Sequence, residues 1–208
     1  MAPAADTTEG DGPIRLRLAD LAGEEVLIVD APKKTAGGWR SRYRLTELRA
    51  RGELVGRLGW RGGGSHSPVP AESAEGSWEI RHSRGSRLAR VWSISDAADA
   101  AAAPVATLEK PQLGAIAVGA PGAPSLEMRS VRPEHSGFSL RRRWELAAEG
   151  QPPIAHIDQP AKGTKGVRCV LRVEPQGAAE PNLAPILLLA CTAALVLAAE
   201  DIAFLPST

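Results

Sequence analysis

The arginines offer the clearest chemistry in this sequence. Arg81, Arg84, Arg87 and Arg90 fall around one candidate hairpin, and Arg141, Arg142 and Arg143 fall in a second. A guanidinium carries a planar fork of donors that matches phosphate oxygens. These seven residues are therefore the candidates for holding an anionic headgroup. Arginines of this kind also serve as the wet face of a β wall, paired with scattered Glu and Asp, where each pair contributes little. Both readings stay open at the level of sequence.

Other reactive residue types are dispersed. His66, His82, His135 and His156 lie far apart, and no pair has zinc-ligand spacing. No GxSxG elbow, phosphate-binding loop or GxGxxG stands between a strand and a helix. Ser65-His66-Ser67 puts a hydroxyl beside an imidazole, but neighbours in a Gly-rich loop lack the third group that would orient them. The carboxylate doublets Glu24-Glu25 and Glu200-Asp201 read as a turn and a helix end. Cys169 and Cys191 show no CxxC spacing and read as buried, reduced thiols, which fits a reducing, cytoplasmic setting. We therefore assign no catalytic residue, no metal and no cofactor, and expect a non-enzymatic protein.

The formal net charge of +1 over 208 residues gives no bulk attraction to nucleic acid, and nucleic acid is not an expected partner. Arg outnumbers Lys, and Ala, Gly and Pro are abundant, as in proteins of high-GC bacterial genomes. Residues 1–12 carry neither a basic nor an apolar signal region and read as a disordered tail. Residues 13–208 read as one domain.

From Pro13 the chain alternates apolar and polar residues in short runs separated by turn residues. The candidate strands are 14–18, 26–29, 39–45, 53–60, 78–82, 88–94, 105–108, 115–118, 126–131, 138–146, 154–157 and 167–173. Strands this short and this regularly spaced argue for a sandwich or barrel with one buried and one wet face. Residues 61–76 are rich in Gly, Ser and Pro and read as one long loop. A weak repeat links Tyr43–Leu58, Trp78–Val91 and Phe138–Ile157: an aromatic, an aliphatic two residues on, a Gly turn and a return strand.

One segment departs from this pattern. Leu183–Leu205 is dominated by Leu and Ala and holds no charge before Glu200. Asn182 suits an N-cap, Pro185 is tolerated in the first turn, and Pro206 ends the run. A helix apolar on every face must be surrounded by protein or by lipid. The uncharged stretch is close to the minimum that spans a bilayer, so a tail anchor at 183–199 is one reading. Two features favour a protein container: Glu200 and Asp201 lie inside the apolar pattern, and basic anchors are missing upstream as far as Arg172.

Short strands followed by one wholly apolar C-terminal helix resemble the tubby C-terminal-like superfamily, which includes the LURP-one-related proteins and the phospholipid scramblases. The match is carried by the hairpin units and by Ile186–Ala190 and Leu195–Ile202, and it spans residues 13–205. The resemblance implies a closed antiparallel β-barrel of about twelve strands around a hydrophobic C-terminal α-helix. It also implies recognition of anionic phospholipid at a membrane surface, with the seven arginines as the residues to test. The chain lacks the C-terminal signature of true tubby proteins and an acidic loop like the proposed calcium site of scramblases. The functional expectation is a barrel peripheral to a membrane, with an anionic phospholipid or a protein as partner. A tail-anchored protein and a scramblase-like lipid handler are the alternatives.

Overall fold

A computed structural model describes residues 13–36, 43–61, 67–84, 90–99, 102–111, 115–122, 125–131, 140–160 and 166–203. The predicted 1–12 tail and Arg87 lie outside these residues. Twelve antiparallel strands form a closed barrel in simple sequential order. They are β1 (Glu25–Ala36), β2 (Tyr43–Ala50), β3 (Glu53–Trp60), β4 (Val69–Ser73), β5 (Gly76–Arg84) and β6 (Arg90–Asp96). There follow β7 (Ala106–Lys110), β8 (Ile116–Gly119), β9 (Leu126–Val131), β10 (Leu140–Ala148), β11 (Ala155–Pro160) and β12 (Val167–Val173). The C-terminal helix α1 (Leu183–Ala203) fills the lumen.

The period-2 pattern explains the wall. Ala155, Ile157 and Gln159 of β11 are buried while their neighbours are half-buried, and β7 buries Ala106 and Leu108 in the same way. Trp60, Trp78, Trp92 and Trp144 are all in the core. Every residue of α1 from Leu183 to Leu197 is buried, so its uniform apolarity is matched by apolar wall on all sides. This overturns the tail-anchor alternative for 183–199, because the segment that would need lipid is already enclosed by protein. Among the described residues no helix is long and apolar enough to cross a membrane.

Closure joins the first strand to the last. Glu25 stands opposite Arg172 in the β1–β12 register, and their side chains pair at 2.6 Å. Arg168 grips Asp30 with two hydrogen bonds of 2.8 and 2.9 Å across the same seam. Pairing first with last removes both sheet edges.

The two ends of the barrel differ in construction. The lower end, where β12 leaves and α1 enters, is shut by backbone. A 3-10 turn at Leu18–Leu21 buries both leucines in the core. A second at Pro175–Ala179 packs Gly177 against Ile154, so closely that a Cβ there would lie 2.4 Å from the Ile154 carbonyl oxygen. Glu174 N–H donates to Ile154 O at 2.9 Å, and Gly23 N–H to Val173 O at 2.7 Å. The upper end holds the connections β1–β2, β3–β4, β5–β6, β7–β8, β9–β10 and β11–β12, and α1 finishes there.

Three expectations are corrected. Ile14–Leu18 is not a strand; its apolar residues lead into the cap of the lower end and join no ladder. Val69–Ser73, read within a loop, is β4, paired with β3 and β5. Its inward residues are Val69, Ala71 and Ser73, too small and too mixed to show as a hydrophobic alternation, and Pro70 argues locally against a strand. The total of twelve strands thus holds because one false strand offsets one missed strand. The three supposed repeats also run in different directions. β2–β3 and β10–β11 turn at the lower end, through Arg51-Gly52 and Glu149-Gly150, whereas β5–β6 turns at the upper end.

Candidate anion-binding rim

The strand register brings like charges together at the upper end. Arg84 at the end of β5 stands opposite Arg90 at the start of β6, and Arg90 stands opposite Lys110 at the end of β7. Three cations therefore occupy directly facing positions on three adjacent strands. Like charges placed opposite one another destabilise a sheet. Elsewhere on the wall, charges pair across strands. Arg57 meets Glu72, Arg143 meets Asp158 and Arg168 meets Asp30.

The seven candidate arginines divide by position. Arg84 and Arg90 belong to the row. Arg81 lies lower on the outer wall, half exposed and 3.3 Å from Glu79. Arg141 is in β10 by its backbone, but its side chain, like that of Arg84, is outside the description. Arg142 sits over the Trp144 ring, 5.1 Å from the centroid. Arg143 is held by Asp158 through two hydrogen bonds of 2.6 and 2.8 Å. The hydrogen bond to Asp158 raises the Arg143 pKa against the opposing effect of burial. Arg143 is thus a cross-strand tie. Both clusters lie at the upper end, but β7, β8 and β9 separate β6 from β10. Four interstrand spacings amount to about 19 Å along the wall, so the clusters form parts of a rim and not one pocket.

Sequence reading missed Lys110 and two further cations at this end. Arg44 lies 5.1 Å from the centroid of Trp60, its partner across β2–β3, and Arg61 lies 5.9 Å from that of Tyr43. Lys110 and Arg61 are single basic residues at strand ends, whereas Arg44 ends the run Arg40-Ser-Arg42-Tyr-Arg44 and read only as part of a candidate strand. Only the pairing register shows which side chains they join.

The barrel interior offers little reactive chemistry. At the upper end His82 stacks on Trp92 with centroids 4.9 Å apart, beside Thr192 and Val196 of α1. The cavity there is about 20 Å³, room for roughly one water molecule. Thr192 donates its hydroxyl proton to Leu188 O within the helix at 2.9 Å. Cys169 on β12 and Cys191 on α1 are buried free thiols. Burial pushes the Cys169 pKa up to about 12 and that of Cys191 well above its ordinary value, so neither is a thiolate nucleophile at neutral pH. Among the described residues no group of three or more His, Cys, Asp or Glu side chains could hold a metal ion.

A larger cavity of about 360 Å³ opens at the lower end between the cap and the start of α1. Arg17, Glu75, Trp78, Glu180 and Asn182 line it. Burial raises the Glu180 pKa, and one of its carboxylate oxygens is buried without a hydrogen-bond partner.

Compared with protein-family models, with curated proteins and with solved structures, the chain matches none.

Proposed function

We propose that this barrel is a non-enzymatic binding module that sets its upper rim against anionic phospholipid. The observation that supports the reading is the Arg84–Arg90–Lys110 row, three basic residues at facing register positions of adjacent strands, which concentrates positive charge at this end. Arg44, Arg61 and Arg142 extend the same rim around the mouth. A rim of separated cations suits a surface carrying many phosphates better than it suits one small anion. The resemblance to the tubby-like superfamily points to the same ligand, and the closed barrel around a C-terminal helix is the architecture that this resemblance implies. Contact through the rim alone makes the protein peripheral to the membrane.

Each basic residue close to an anionic membrane contributes about 1 kcal/mol, so loss of two weakens binding by on the order of thirtyfold. The test is co-sedimentation with vesicles of phosphatidylcholine alone and of equal parts phosphatidylcholine and phosphatidylglycerol. We expect binding to the mixed vesicles only, weakened by salt and strongly reduced in Arg90→Glu with Lys110→Glu. Absence of binding to the mixed vesicles at low ionic strength, or binding unchanged in that variant, overturns the reading.

A further inference from the structure

The lower end holds a cavity of about 360 Å³ that plays no part in the rim. Sites for small molecules commonly measure roughly 300–1,000 Å³. Separate stretches of the chain meet there. Arg17 comes from the first 3-10 turn, Glu75 and Trp78 from the β4–β5 hairpin, Val105 from the β6–β7 connection, and Glu180 and Pro185 from the chain entering α1. The charged side chains of this cavity do not balance. Glu75 is answered twice: Arg17 Nε lies 3.8 Å from one of its oxygens, and the Ser73 hydroxyl donates to the other at 2.5 Å. Among the described residues nothing answers Glu180: no hydrogen bond or ion pair reaches its carboxylate, and one of its oxygens is shut off from water. Trp78, Val105 and Pro185 give the rest of the wall an apolar face, and Trp78 is itself buried.

We propose that this cavity is a binding site for a small organic amine, whose protonated nitrogen meets Glu180 and whose apolar body lies along Trp78 and Val105. A carboxylate partly withdrawn from water and without a partner gains charge-assisted hydrogen bonds from an ammonium group. An indole adds the attraction of an aromatic ring for a cation. The N-terminus of α1 opposes a cation, but it amounts to about half a charge shared among several N–H groups, against the whole charge of Glu180. An anion would have only Arg17 and that helix end to set against two carboxylates. A metal ion fits less well, because among the described residues no group of three or more His, Cys, Asp or Glu side chains could hold one. Burial raises the Glu180 pKa, and a bound ammonium acts the other way by favouring the ionised form. Binding is therefore present at neutral pH and is lost as pH falls through the Glu180 pKa and the carboxylate takes up a proton. The site stands apart from the upper rim and does not depend on lipid binding.

Nuclear magnetic resonance titration of the isotope-labelled protein tests the proposal. Phenethylamine and isoamylamine are the amines, and phenethyl alcohol and phenylacetate are the neutral and anionic counterparts of the first. The Trp78 indole N–H, identified by its absence in Trp78→Phe, is the reporter. Both amines are expected to shift it saturably at neutral pH, the alcohol more weakly and phenylacetate not at all. Loss of a charge-assisted contact in Glu180→Gln should weaken amine binding by about tenfold while the rest of the spectrum stays that of the wild type. Val105→Trp fills the cavity without changing its charge and is expected to abolish the shift. No saturable shift with either amine, phenylacetate binding as tightly as phenethylamine, undiminished amine binding in Glu180→Gln, or a folded Val105→Trp that still binds would each overturn the proposal.

Discussion

The lower end of the barrel is made of backbone and the upper end of charge. Below, two 3-10 turns, a buried glycine and main-chain hydrogen bonds hold Leu18, Leu21 and Ile154 over the lumen. Acids there have room to remain exposed. Above, adjacent strands finish in facing cations, and aromatic rings at the mouth support further guanidiniums. The difference separates two tasks within one sheet. One end fixes the helix in the barrel, and the other gathers basic residues on adjacent strands. Substitutions below should therefore change stability, and substitutions above should change binding.

The largest expected effect comes from removing what both ends enclose. Ending the chain after Glu180 deletes α1 and leaves the inward faces of twelve strands without a partner. Burial of one large apolar side chain is worth ~1.5–3 kcal/mol, and α1 buries Ile186 through Leu189 together with Leu195 to Leu197. The truncated chain should be unfolded or insoluble. A folded, soluble product would show that the wall holds itself closed and would end the division of tasks between the ends.

Next in size is Gly177→Ala at the lower cap. The added methyl meets the Ile154 carbonyl, which is backbone and cannot swing aside. Overpacking of this kind costs typically about 1–3 kcal/mol. A chemical-denaturation midpoint should fall accordingly while vesicle binding by the folded protein stays unchanged. An unchanged midpoint would show that the cap yields and is not a fixed support.

A smaller effect is expected at Glu180, in the lower cavity. Burial raises the pKa of its carboxyl, so the folded state holds that proton more tightly than the unfolded chain. The resulting stability is present below the ordinary carboxylate range and is lost as pH rises through the folded pKa. Glu180→Gln should accordingly be more stable than the wild type at neutral pH, with the advantage disappearing in acid. Thermal midpoints at the two pH values measure this. A variant less stable at neutral pH would mean that the ionised carboxylate has a stabilising partner.

Much of the fold was legible because its strongest signals are local. The helix announced itself through an uncharged Leu/Ala run with Asn182 before it and Pro206 after it. Alternation located β3, β9 and β12 almost to the residue. β4 was hidden because its inward side chains are Val, Ala and Ser, which carry no hydrophobic alternation. Ile14–Leu18 misled because a cap that dips apolar residues into the core copies the pattern of a strand. The rim was only half legible. Arg84 and Arg90 stood out as a cluster, but their alignment with Lys110 depends on register between β6 and β7. Arg143 had the right residue type but serves as a tie to Asp158, fifteen residues along the chain.

The most direct test of the account is Lys110→Glu, measured for stability and for vesicle binding together. The substitution places an acid instead of a base at the position facing Arg90. Cross-strand charge pairs are worth roughly 0.2–1 kcal/mol, so the denaturation midpoint should rise slightly while binding to phosphatidylglycerol-containing vesicles falls. A variant that binds those vesicles as well as the wild type would contradict the proposal that this row of basic residues meets the anionic surface.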